Sequence, residues 1–332
     1  METVLFLAHT ENGCLSKASL EALAMARSLG GSLVAGLVGT DTQAAANAIA
    51  ACGAARFLAV DGEAFQVPRF ATDAAAAEAL ACAAGATVVI APGTSRWSRV
   101  LPAVAQRLGG AVDTHITAIG VEGGITVSRW YYRQRLEALQ TRTTRPWLML
   151  VESGGAEVWS GAPGQANLEV IAVPPGKQRT TVTGVQSPAA DQQTIRPDAK
   201  LLFVTGAGWT KKQKDGQPHV PEAAALILGF LTKSQCSLGS SKSLVDLSGE
   251  GQDVLPFLTH LNQVGQTGST PRHLKGLSTC CHGEEPHVVG WRFIKERRAI
   301  NLDANCGWAR GKADVLYVAD AFEVMRKLNK LL

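Results

Sequence analysis

Leu201-Leu202-Phe203-Val204-Thr205-Gly206-Ala207-Gly208 is an apolar run that breaks on a glycine turn. A short continuous apolar run bounded by turn residues reads as a strand covered on both faces, and such strands belong to parallel sheets. Pro221 to Leu231 follows as a helix, with proline near its start, where a missing N–H is tolerated. Strand, glycine turn and helix in this order make an α/β unit. Its turn lies at the carboxyl edge of the sheet, where such folds meet ligands. Many α/β turns hold two glycines and no ligand, so the turn by itself assigns no site.

The same pattern runs through the amino-terminal half. Val4 to Ala8, Ser32 to Val38, Arg56 to Val60 and Thr87 to Ala91 read as buried strands. Ser16 to Leu29, Gln43 to Cys52, Thr72 to Ala84 and Arg99 to Leu108 read as the helices between them. Four later stretches lack intervening helices: Thr114 to Val121, Thr126 to Tyr132, Ala138 to Arg142 and Trp147 to Glu152. They read as antiparallel strands added to the parallel sheet. Pro174 to Pro197, rich in Pro, Gly, Ser, Thr and Gln, reads as a linker. Beyond it, Val254 to Leu261 reads as a further helix, and Phe322 to Leu331 as the last one.

With 332 residues the chain has room for about two domains. It is 46% hydrophobic and 18% charged, which is enough to bury real cores. A formal charge of +4 without a concentrated basic patch gives no sign of nucleic-acid binding. The seven cysteines form no CxxC pair, and Cys280-Cys281 are adjacent, which fits thiols in a reducing compartment rather than a disulfide framework. No apolar run is long enough for a bilayer span, so no membrane insertion is expected. A first strand at Val4 leaves no room for a leader, and a cytoplasmic protein is the expectation.

Polar residues cluster in the last third of the chain. Leu238-Gly239-Ser240-Ser241-Lys242-Ser243 gathers hydroxyls and a cation after a helix. Val264-Gly265-Gln266-Thr267-Gly268 sets an amide and a hydroxyl between two glycines, which let a ligand approach bare N–H groups. Cys280 to Gly290, Ala299-Ile300-Asn301 and Val318-Ala319-Asp320 complete the series. In this order the pieces resemble the α-subunit of electron transfer flavoproteins. That family carries a Gly-Gly-Arg turn, Gly-Ala-Ser-Arg, Val-Gly-Gln-Thr-Gly, Ser-Gly-Ala-Ile-Gln-His, Ala-Ile-Asn and Val-Ala-Asp in sequence. Ala91-Pro92-Gly93-Thr94-Ser95 and Leu101-Pro102 sit where the family has its first-domain motifs.

The resemblance implies an α/β fold of two domains, each a largely parallel sheet with helices on both faces. The first, residues 1–173, is Rossmann-like and nucleotide-binding in type, and contacts a β-subunit. Residues 174–197 form the linker, and 198–332 a DHS-like FAD-binding domain. Carried over residue by residue, Ser241 and Lys242 match the Ser-Arg pair, and Val264, Gly265, Gln266 and Thr267 match the loop near the flavin ring. His287 matches the final histidine of the next motif, with Gly283 on its glycine. Asn301 matches the residue at the adenosine end, and Asp320 the late aspartate. Gly208 replaces the family's first arginine, and Lys242 replaces the second, keeping the charge but not the planar fork. His282, Glu284, Glu285 and Pro286 also depart from the family motif. Two acidic residues near a flavin make it harder to reduce to an anion.

The implied function is electron carriage by bound FAD, from a flavin-linked dehydrogenase to a quinone oxidoreductase or similar acceptor, in a heterodimer with a β-subunit. The protein would be a carrier rather than an enzyme. The altered motifs also fit a subunit that kept the fold and became a structural or regulatory partner. An NAD enzyme fits less well, because no G-x-G-x-x-G follows a strand with an acidic residue at the right distance. Blander alternatives stand beside the site residues. Lys242 is also consistent with a solvated lysine, Gln266 and Thr267 with a helix cap, and His287 with a structural histidine.

Cys280, Cys281, His282, His287 and Cys306 lack the spacing for a tetrahedral metal site. Lys295-Glu296-Arg297-Arg298 reads as a solvated helix end or loop. Arg129, Arg133, Arg135, Arg142 and Arg145, with Trp130, Tyr131, Tyr132 and Trp147, read either as an exposed sheet face or as a subunit interface.

Overall fold

The computed structural model describes residues 2–131, 136–176, 179–184, 196, 199–246, 253–264, 273–279, 294–306, 309 and 313–332. The chain divides into two compact units, Met1–Val185 and Gln186–Leu332.

The first unit holds a nine-stranded sheet in the order β7-β6-β5-β8-β4-β1-β2-β3-β9. Its strands are β1 (Thr3–His9), β2 (Ser32–Gly39), β3 (Arg56–Asp61), β4 (Val88–Pro92), β5 (Ala111–Gly120), β6 (Thr126–Tyr131), β7 (Leu136–Gln140), β8 (Trp147–Val151) and β9 (Leu168–Val170). In β1, Val4, Phe6 and Ala8 face one core and Leu5 and Leu7 the other, as the period of two requires. Helices α1 (Lys17–Ser28) and α2 (Thr42–Ala48) cover the first face with Ala22, Leu23, Ala45 and Ala46. Helices α3 (Glu63–Gln66), α4 (Phe70–Ala84) and α5 (Ser95–Arg107) cover the second with Phe65, Ala77, Leu80, Trp97 and Val100. The alanines let helix and sheet approach closely. Two cores, one on each face, explain why the strands read as unbroken apolar runs.

The added strands differ from expectation. β8 does not run antiparallel: it inserts between β4 and β5, parallel to both. Trp147, Leu148, Met149, Leu150 and Val151 are all buried, which fits a central strand with both faces covered. The antiparallel pairs are β5–β6 and β6–β7. Nor do the arginines here simply form an exposed face. Arg129 Nη1 donates to Asp113 Oδ1 at 3.0 Å, Arg142 Nη2 donates to it at 2.9 Å, and the Trp147 indole donates to Asp113 Oδ2 at 2.8 Å. Asp113 is buried, so cations and indole turn inward to satisfy it. Burial pushes its carboxyl up, but Arg142 and Trp147 outweigh that and hold it below the usual range. Arg145 reaches Glu2 instead. Tyr132, Arg133 and Arg135 lie outside the described residues.

The second unit holds a five-stranded, all-parallel sheet in the order β11-β10-β12-β13-β14. Its strands are β10 (Leu201–Thr205), β11 (Ser237–Ser240), β12 (Lys275–Thr279), β13 (Glu296–Asn301) and β14 (Val315–Val318). Helices α6 (Val220–Ser234) and α8 (Ala321–Leu331) cover one face, where Phe203 and Ile300 meet Ile227, Phe230, Phe322 and Met325. A short helix, α7, spans Lys242–Asp246. On the other face Leu202, Val204 and Ala299 meet Val264, Ile294, Cys306 and Ala309.

Two readings in this unit change. Val254 to Leu261 is not an α-helix. Pro256 removes an N–H donor there, and only a 3-10 turn forms at His260–Asn262, capped by Thr259. Lys295 to Arg298 is no helix end, because Glu296–Arg298 opens β13. Arg297 Nη2 pairs with Asp314 Oδ1 at 2.7 Å and Arg298 Nη1 donates to the Tyr317 hydroxyl at 3.2 Å.

Candidate functional site

In the second sheet β10 lies between β11 and β12. The chain leaves β10 to one side through α6 and later returns to its other side at β12. Connections therefore diverge at the carboxyl ends of β10 and β12, the crevice where open α/β sheets receive ligands. The residues ending these strands are Thr205-Gly206, Ser240-Ser241, Thr279, Asn301 and Val318 to Asp320.

The β10 end is tied down from both sides. Gly206 N–H donates to Thr279 O at 2.9 Å, and Ser241 N–H donates to Thr205 O at 2.9 Å. Gly208 is buried in a 3-10 turn, Ala207–Trp209, and its carbonyl accepts from Gln213 Nε2 at 3.1 Å. The position taken by glycine therefore sits at the crevice but presents backbone only. Trp209, fully buried, donates from its indole to Thr279 Oγ1 at 2.8 Å, and that hydroxyl donates on to Val204 O at 3.1 Å. Sequence reasoning passed over Trp209 and Thr279. The one signal available was a tryptophan directly behind a glycine turn.

Ser241 is buried, and its Oγ accepts from Leu244 N–H at 3.3 Å in the first turn of α7. Its own proton remains to be given. Lys242 opens α7. Val264 N–H donates to Ser240 O at 3.0 Å. A Cβ on Gly239 would stand 2.5 Å from Val264 Cγ2, so glycine is what lets Val264 press against β11. Val264, the first residue of the Val264 to Gly268 stretch, is thereby fixed at the carboxyl end of β11. Gly265, Gln266 and Thr267 lie outside the described residues, as do His282, Gly283, Glu284, Glu285, Pro286 and His287.

Asn301 ends β13 and is 1% exposed. Its Oδ1 accepts from Asp303 N–H at 2.9 Å, while its Nδ2 has no hydrogen-bond partner. An unmade bond of this kind costs about 1–3 kcal/mol, so it calls for an explanation. Asp320 caps α8, its Oδ1 accepting from Phe322 N–H at 2.8 Å and Glu323 N–H at 3.3 Å. Beside it is a pocket of 280 Å³ lined by Lys214, Asp215, His219, Glu222, Phe322 and Arg326, among others. Its charges answer one another: His219–Asp215 at 2.7 Å, Arg326–Glu222 at 2.6 Å and Lys214–Asp320 at 3.8 Å.

The structure thus brings Gly208, Ser241, Val264, Asn301 and Asp320 to one sheet edge, with Lys242 beginning the helix after Ser241. Among the described residues no cluster of His, Cys, Asp or Glu is placed to hold a metal, and no helix is long and apolar enough to cross a membrane.

A family model for the electron transfer flavoprotein domain matches residues 3–176. Across nearly the whole chain the protein is similar to an electron transfer flavoprotein subunit alpha of Pseudomonas aeruginosa, 24% identical over 330 residues, or 98% of this chain and 99% of that protein. The chain belongs to the electron transfer flavoprotein family, on its alpha-subunit side, and members of that family carry electrons rather than turn over a substrate of their own.

Proposed function

We propose that the chain is the α-subunit of a heterodimeric electron transfer flavoprotein whose second unit holds FAD. It pairs with a β-subunit, takes electrons from a flavin-linked dehydrogenase and passes them to a quinone oxidoreductase or a similar acceptor, in the cytoplasm. The observation that carries this is the Asn301 Nδ2 donor, buried and unpartnered at the carboxyl edge of a doubly wound sheet. Ser241, with a proton to give, and the anchored start of the Val264 loop fit the same cofactor.

FAD, when bound, supplies the electron chemistry, and the protein's part is to bind, orient and tune it. Gly208 leaves backbone where the family has a cation. Lys242 supplies positive charge as a point rather than a fork. Gly265, Gln266 and Thr267 complete the ring loop. Gly283 and His287, with His282, Glu284, Glu285 and Pro286, belong by the resemblance to the flavin site, where His287 supports negative charge on the pyrimidine side. Glu284 and Glu285 disfavour the reduced anion. The exposed side chains Leu136 and Leu139 on edge strand β7, with Tyr131 on β6, suit the β-subunit contact assigned to the first unit.

Co-purification with the β-subunit, followed by a visible spectrum, tests this. A yellow complex with flavin absorption is expected. A colourless complex that stays colourless after FAD is added would show a subunit that kept the fold and lost the redox role.

A further inference from the structure

We propose that Ser278 is a further cofactor-binding residue, giving a hydrogen bond to an acceptor oxygen of the FAD ribityl, phosphate or ribose chain together with Asn301. This rests on the second unit being the FAD site. Ser278 lies in the middle strand of the sheet, paired with Val204 of β10 on one side and Ala299 of β13 on the other. Ala299 pairs in turn with Leu316 of β14. The row is therefore Gly239, Val204, Ser278, Ala299 and Leu316, in which serine carries the one polar side chain. Residues in register on neighbouring parallel strands share a face, and a strand repeats its face every two residues. Asn301 follows Ala299 by two, so Asn301 and Ser278 lie on the same face, one row apart.

Both are 1% exposed, and both lack a partner at one atom: Oγ in Ser278 and Nδ2 in Asn301. A lone buried hydroxyl in an apolar row is costly unless something answers it. Two such atoms on one face of the sheet, in its carboxyl half, point to a ligand rather than to chance. The chemistry of the pair narrows that ligand. Asn301 Oδ1 is already taken by the Asp303 N–H, which leaves the two protons on Nδ2. Ser278 adds a third proton. Three protons on one face favour a ligand rich in acceptor oxygens, such as a hydroxyl or phosphate chain. Alanine at 278 would fill the row equally well, so the hydroxyl has no packing role.

The experiment uses the full chain with its β-subunit, stripped of cofactor, as wild type and as Ser278→Ala. FAD is titrated by calorimetry, and the melting temperature is read without cofactor. Loss of one hydrogen bond should weaken FAD binding about three- to tenfold. The melting temperature of the cofactor-free protein should stay level or rise, because alanine removes a hydroxyl that nothing answers. A structural serine would do the reverse, lowering the melting temperature and leaving the FAD Kd alone. Either an unchanged FAD Kd or a lower melting temperature in Ser278→Ala overturns the proposal. Titrating ADP beside FAD locates the oxygen: an equal loss places it in the ADP half, and an unaffected ADP Kd places it in the ribityl chain. Asn301→Asp, which keeps the acceptor for Asp303 but removes the donor protons, should weaken FAD binding in the same sense. Wild-type protein that takes up no FAD overturns the assignment of the site and this inference with it. Wild type that binds FAD as tightly as Ser278→Ala overturns this inference alone.

Discussion

The two sheets differ in the polar groups they bury. The first unit buries carboxylates, Glu21, Asp73 and Asp113, and surrounds each with donors. Among its described residues the second unit buries no carboxylate. It buries hydroxyls and amides, and leaves Ser240 Oγ, Ser278 Oγ and Asn301 Nδ2 unanswered. A buried charge with its partners in place acts as a strut, because removing either side strands the other. A buried neutral group without a partner costs stability in the free protein and is available to a ligand. On this contrast the polar core of the first unit is built for holding, and the carboxyl edge of the second is the edge proposed for binding. Each prediction below attacks one side of that division.

The largest effect is expected at Asp73. It is fully buried at the start of α4, with Arg96 bonded to both oxygens at 2.7 and 2.9 Å and Arg99 at 3.9 Å. Arg96 also donates to the carbonyls of Phe65, Gln66 and Val67, so it ties the end of α3 to α5. Asp73→Ala leaves Arg96 largely buried and unpaired, and should cost about 3–5 kcal/mol in denaturant unfolding. Binding of FAD by the folded protein should not change. A cost below about 1 kcal/mol would mean that this carboxylate is no strut, and would erase the contrast at its strongest point.

His9 sharpens the same side through pH. It ends β1, stacks on Trp97 at 3.8 Å between ring centres, and lies with Nε2 3.5 Å from Asp73 Oδ1. Burial pushes its pKa down to about 4, with Asp73 pulling up and Arg96 pushing down. A folded pKa below the unfolded value near 6.5 means that the unfolded chain binds the proton more readily. The stability from a neutral His9 is therefore complete above about pH 6.5 and is lost as pH falls towards 4, by up to about 3 kcal/mol. Asp73, held low by His9 and Arg96 against burial, adds its own loss only at lower pH. His9→Phe keeps the stack on Trp97 and should flatten the profile between pH 6.5 and 4. A variant with the wild-type slope would place the titrating group elsewhere.

How much of this could be read from the sequence follows the same division. The parallel strands were legible because a strand covered on both faces is apolar throughout, as in Val4 to Ala8 and Leu201 to Thr205. β8 was read in the wrong direction, since Trp147 to Val151 looks the same whichever way its neighbours run. β11 and β12 were not read as strands at all. Ser237-Leu238-Gly239-Ser240 and Lys275-Gly276-Leu277-Ser278-Thr279 lack the apolar continuity that marks the others. Ser278, one of the polar residues that hide these strands, is also the residue proposed for the FAD site. The inward turn of Arg129 and Arg142 was hidden for a different reason: only the fold reveals that Asp113 on β5 lies beneath them.

Gly239 tests the binding side through packing. A Cβ there would lie 2.5 Å from Val264 Cγ2 and 3.3 Å from Leu202 Cδ1. Gly239→Ala must displace Val264 and the loop it begins, at about 1–3 kcal/mol of overpacking. FAD affinity should fall along with stability, and binding should fall by more than stability alone explains. Unfolding monitored without cofactor, set against FAD titration, separates the two. An unaltered FAD Kd would detach the Val264 loop from the site.

Asp320 gives the smallest effect and the finest distinction, because it stands on the binding edge and yet behaves like a strut. Its Oδ1 is committed to the N–H groups of Phe322 and Glu323, and its Oδ2 faces Lys214 at 3.8 Å. Asn and Ser cap a helix about as well as Asp, whereas Ala costs about 1 kcal/mol. If capping is the whole role, Asp320→Asn should leave both stability and FAD affinity near wild type. Asp320→Ala should then lower stability by about 1 kcal/mol with the FAD Kd unchanged. If Asp320 also touches the cofactor, as its place in the motif series implies, Asp320→Asn should alter the FAD Kd while the cap is intact. A shift in Kd without a shift in unfolding would move Asp320 from the holding side to the binding side of the molecule.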